Sequence, residues 1–248
     1  NLQGALKIKG ANVSVTHPVT IDLGDSTVTG TYDIRTTTGD ITDSGYLDIT
    51  SNSTFTTDAD GADIKLDTTT NAFGSATSSS TVTVNTVGTG GDAEVHGGST
   101  DLKIIASGGV GTLKLTTTGA ADITDSGALV VAGTTTINSG RNVELNHASS
   151  NLQGAVGASG AIVSLTHNRS AGIILGDSTV TDTYTVTATT GNITDDGNLT
   201  ITGLTTLVTS ADGADIELIE TGHTFTGNVK VTTNETGTNA DADAWIDG

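Results

Sequence analysis

The stretch TTTGDITDSGYLDIT, residues 36–50, governs the reading of this chain because it comes back twice. It returns as TTTGAADITDSGALVV at 116–131 and as ATTGNITDDGNLTIT at 188–202. Inside each copy apolar and polar residues alternate in short runs, as at Leu47 and Ile49, and Gly, Asp, Asn and Ser close each run. Period-two runs of that length read as strands, and the clusters between them as turns. Thr and Val favour the same state through β-branching. No strong helical pattern competes with this reading.

Outward from that phrase a longer repeat appears. NLQGA stands at 1–5 and 151–155, LGDSTVT at 23–29 and 175–181, and ADGADI at 59–64 and 211–216. Order and spacing are kept, so the unit is roughly 70 to 80 residues long. The units run 1–70, 71–150 and 151–222, with a partial fourth at 223–248. The second is the longest, and its extra Gly-rich stretch at 88–99 (GTGGDAEVHGGS) predicts a loop bulging from the regular structure. The opening inside a repeat reads as a portion of something longer.

Composition narrows the fold. The 248 residues include no Cys, no Met, one Pro, 33 Gly and only 3% aromatic residues, so disulfides are excluded. The predicted core is built from Val, Ile, Leu and Ala, a thin filling. A string of immunoglobulin-like sandwiches is the competing architecture, but it calls for large buried side chains and longer strands. The expectation is therefore an all-β parallel solenoid, a single rod of roughly 10 to 12 rungs of about 20 to 25 residues each. A net charge of −19 repels phosphate backbones, so nucleic acid is not an expected partner. Nor does any segment have the apolar length for membrane insertion.

The phrases at 189–207 (TTGNITDDGNLTITGLTTL), 123–137 (ITDSGALVVAGTTTI) and 10–17 (GANVSVTH) resemble the repeats of filamentous-haemagglutinin-like adhesins. The resemblance covers nearly the whole chain, with motifs that any such solenoid selects. It implies a right-handed parallel β-helix from a giant exoprotein of the two-partner secretion or autotransporter kind. It also implies an extracellular or cell-surface location and a shaft role without catalysis. Implied partners are a glycan or protein on a host or neighbouring cell, or further copies joined in fibres.

The candidate sites are mostly carboxylates. Asp58, Asp60 and Asp63 in TDADGAD, partly echoed by Asp212 and Asp215, stand at alternate positions beside a Gly turn and could ligate Ca²⁺. The competing reading is a polar turn. Asp241, Asp243 and Asp247 in the tail present the same choice. Asp43, Asp125 and Asp195 recur once per unit, with Asp196 as a neighbour, and paired acids suggest a polysaccharide-processing enzyme. Catalysis requires one exceptional constellation, so periodic acids point instead to structural turns, and no catalytic residue or cofactor is assigned. The five His (His17, His96, His147, His167 and His223) are expected on surface turns. Thr runs at 36–38, 68–70, 116–118 and 134–136 suggest an ice-binding array, which would need Thr at one place on successive rungs.

Overall fold

Short alternating strands cannot bury both their apolar face and their hydrogen-bonding edges alone, so each must stack on its neighbours in sequence. In the computed structural model, which describes residues 4–74, 80–88, 90–236 and 241–247, they do so throughout. Every strand pairing is parallel, and the described residues contain no helix. The protein is an all-β solenoid of about ten turns.

Each turn crosses two continuous faces. The first runs from Val13–His17 through Tyr32–Thr36 and Ser53–Asp60 to Thr205–Asp212 and Val229–Asn234. The second runs from Ile21–Leu23 through Ile41–Asp43 and Ile64–Leu66 to Ile216–Leu218 and Ala244–Ile246. A third, shorter face is present near both ends. It comprises Ser26–Val28 and Leu47–Ile49 in the first unit, and Ser178–Val180 and Leu199–Ile201 in the third. Between them, strands of the first face lengthen to nine residues at Leu102–Val110 and Ile123–Val131. The Gly-rich stretch expected to bulge instead contains a strand, Ala93–His96, paired to Ile64–Leu66 below and Leu113–Thr116 above.

Alternation places Ile, Leu and Val inward in ladders that run the length of the rod. Ile21 pairs with Ile41, Ile41 with Ile64 and Ile64 with Ala93, all buried. Rings contribute more than composition suggested. Tyr32, Phe55 and Phe73 are buried and meet edge to face at centroid distances of 5.9 and 6.2 Å, and Tyr184 is buried at the position equivalent to Tyr32. Edge-to-face contact suits the ring quadrupoles.

The ladders also slip. Followed upward from Ile21 they reach Val156, which pairs with Leu175, whereas the sequence repeat makes Ile173 the counterpart of Ile21. The slip of two residues keeps the same side chains inward, because the strand period is also two. In the middle unit the first-face pairing also shifts register, between Ile104 and Ala106 and again before Val110. Gly108 lies in that segment at φ +81°, and a Cβ there would sit 1.9 Å from the Thr86 carbonyl oxygen.

Truncating an inward ring should therefore cost far more than truncating its outward neighbour. Phe55→Ala is expected to destabilise by about 3–5 kcal/mol in urea denaturation, and Thr54→Ala by no more than about 0.5 kcal/mol.

Candidate functional site

The polar side chains with defined partners gather at the corners between strands, where the backbone turns and its amides leave the ladder. A buried amide without an acceptor is costly, so something at each corner must accept it. Asp and Asn do this from the rung below. Asp40 Oδ1 accepts the Asp63 N–H at 2.9 Å, Asp63 Oδ1 accepts that of Asp92 at 2.8 Å, and Asp92 Oδ1 that of Thr112 at 2.7 Å. A second column repeats the pattern from Asp101 to Asp122 and from Asp122 to Asn142. A third runs from Asn192 to Asp215 and from Asp215 to Asp243.

The Asp of the repeated ITDSG phrase serves a different corner. Asp43 Oδ1 accepts the amides of Asp67 and Thr68, Asp125 those of Asn146 and His147, and Asp195 those of Ile219 and Glu220. Each thus clamps two consecutive N–H groups of the next turn. A second polar residue completes the corner by accepting a strand amide. Asn71 Oδ1 accepts from Leu47 at 2.8 Å, Ser150 Oγ from Leu129 at 3.1 Å, and His223 Nδ1 from Leu199 at 3.1 Å. Asn71 and His223 also donate to their Asp, at 2.6 Å to Asp43 and 2.8 Å to Asp195. Burial pushes the Asp43 carboxyl up, against the opposing pull of the Asn71 amide and the Thr68 and Asp67 N–H groups.

The structure does not bring Asp58, Asp60 and Asp63 together. Asp58 accepts from Arg35 Nε at 2.8 Å, Asp60 is exposed at the end of its strand, and Asp63 is engaged in the corner column. Among the described residues no three His, Cys, Asp or Glu side chains form a metal-binding group. In the tail, Asp243 donates its amide to Asp215, and Ala244–Ile246 adds the last strand of the second face. Asn239, Ala240 and Gly248 lie outside the described residues.

The histidines depart from the expectation of surface turns. His17, His167 and His223 are buried. His167 Nε2 accepts the Leu152 N–H at 3.2 Å and its Nδ1 has no partner, so the ring is a neutral Nδ1–H tautomer by its contacts. Burial holds this imidazole below its ordinary pKa, and the Arg169 charge adds to the effect. Sequence spacing shows which His are equivalent but not which way a side chain points. A signal was nevertheless present: Asn71 and His223 each precede Phe by two residues, at Phe73 and Phe225.

The four Thr runs do not form an array, since Thr36, Thr117 and Thr135 are buried. The exposed threonines in register are others, Thr179 with Thr200 and Thr200 with Thr224. The surface concavities are open, with mixed polar and apolar linings. One of about 450 Å³ is lined by Lys103, Asp125, Glu144 and His147, and one of about 260 Å³ by Asp63, Asp92, Glu94 and Lys114. No helix among the described residues is long and apolar enough to cross a membrane.

Fold and corners together define a repeat protein whose unit is a few stacked turns. A family described as repeats of unknown function (DUF5649) matches at residues 10–80, 90–159 and 160–232, and the chain belongs to it. No curated protein and no solved structure matches the chain.

Two expectations follow. With the three carboxylates held apart, the melting temperature should be the same in chelator and in excess Ca²⁺, and a rise with Ca²⁺ reversed by chelator would reinstate the site. His167 sets a pH dependence. As pH falls through about 6.5, the unfolded chain takes up a proton that folded His167 refuses, so stability is full above that value and is lost toward the lower folded one. His167→Gln should flatten this part of the urea-midpoint profile between pH about 7.5 and about 5, and an unchanged slope would contradict the assignment.

Proposed function

We propose that this chain is a non-catalytic shaft segment of a large secreted bacterial surface adhesin or extracellular filament. The observation that carries the reading is the use made of the recurring acids. Asp43, Asp125 and Asp195 are each engaged by two backbone amides of the next turn, and Asp40, Asp63 and Asp92 in the corner column each accept one. Chemistry that recurs once per unit and is directed at the backbone extends a rod. It does not single out one place along it as a reaction centre.

The mechanical logic agrees. Each added turn lengthens the solenoid by about 4.8 Å, so ten turns give a rod on the order of 50 Å, and further units would extend it with an unchanged cross-section. Such a shaft presents a distal partner, a glycan or protein on another cell, or joins other copies in a fibre. The resemblance of its phrases to haemagglutinin-like repeats favours an exported, surface-held protein.

The purified chain should leave a panel of plant and bacterial polysaccharides uncleaved and appear in negative stain as short rods. On intact cells, an antibody to it should label the surface, and protease added outside should remove the signal. Robust glycan cleavage that disappears when one carboxylate is changed would replace this reading with the enzymatic one.

A further inference from the structure

The corner clamped by Asp195 differs chemically from the equivalent corner in the first unit. At both, a buried side chain accepts one strand amide and donates to the repeated Asp. At the Asp43 corner that side chain is Asn71, whose amide group is donor and acceptor at every accessible pH. At the Asp195 corner it is His223, with its side chain fully enclosed. Its Nδ1 accepts the Leu199 N–H at 3.1 Å and its Nε2 faces Asp195 Oδ2 at 2.8 Å, so these partners require the neutral Nε2–H tautomer. Imidazole, unlike an amide, changes its hydrogen-bonding character between pH 5 and 8.

We propose that His223 is an acid-released latch at the Leu199 corner, and that Asn71 is its permanently closed counterpart. A proton taken up on Nδ1 converts the acceptor of the Leu199 amide into a second donor, and two N–H groups then face each other in a buried site. The Asp195 contact survives this change, because Nε2–H still donates to the carboxylate. The lost contact is therefore one of those that tie Leu199–Ile201, a third-face strand, to the following turn, where Thr224–Phe225 also pairs with it. Around the ring, Asp195 from the end of Ile193–Asp195 is the ionisable side chain in contact, and the Phe225 ring lies 5.7 Å away, tilted by 46°. The neighbouring charged residues, Asp196 beside the clamp and Glu220 in the loop it holds, are exposed.

Thr224–Phe225 pairs with Leu199–Ile201, so release at this corner loosens the third face at the carboxyl-terminal end of the rod while the inward ladders hold. The first unit cannot respond in this way. The middle unit cannot either, because Ser150 supplies its acceptor.

Amide hydrogen exchange on the whole chain tests this, expressed as protection factors so that intrinsic pH effects cancel. Between pH about 7.5 and about 5, protection of the Leu199 amide should fall by about tenfold, the size of one hydrogen bond to a buried amide. Protection of Leu47 should stay constant. Leu152, which His167 serves, is read separately. His223→Asn should abolish the change at Leu199, and Asn71→His should create one at Leu47. Equal pH profiles at Leu199 and Leu47 in the unaltered protein would overturn the proposal, and this comparison does not depend on either variant folding. A pH response retained at Leu199 in His223→Asn would overturn it as well.

Discussion

In a parallel solenoid each backbone N–H must find its acceptor on an adjacent turn, and the rest of this structure follows from that constraint. Along the faces the ladder meets it automatically. At the corners the chain turns away and the amide has to be met by a side chain, and Asp and Asn are short enough to reach one rung while staying in the turn. This explains why the phrase around Asp43 recurs. Its carboxylate reaches two amides at once, as do Asp125 and Asp195 in their own units. The companion position is freer. Asn71, Ser150 and His223 all fill it, so the common requirement there is an acceptor for the strand amide, and donation to the Asp is optional.

The fold was legible because period-two alternation and the repeat both act on it directly. Leu47 and Ile49, or Ile64 and Leu66, are inward as their spacing indicates. The two-residue slip of the ladders was not legible, since a shift equal to the strand period leaves the hydrophobic pattern untouched. Ala93–His96 was hidden for a different reason: with two Gly on either side, a four-residue strand reads as part of a loop. The histidines were misplaced because a polar residue between strands looks the same in sequence whether it faces water or serves a buried amide.

The carboxylates also explain how a chain with 28 acidic residues tolerates stacking. In a corner column, acids on successive turns are about one rung, or 4.8 Å, apart. Two exposed charges at that distance repel by about 0.9 kcal/mol in water, less in salt. A backbone N–H bound to a carboxylate contributes about 1.5–3 kcal/mol. The hydrogen bond wins at each step, so the column holds. Cations reduce the remainder where they bridge turns, as Arg141 does to Asp122 and Lys114 to Glu94. Asn in place of Asp, at Asn142 and Asn192, gives the same amide contact with no charge. The choice between the two therefore leaves the fold unchanged while setting the surface potential, so the large negative charge is a property that can vary from unit to unit without disturbing the rod.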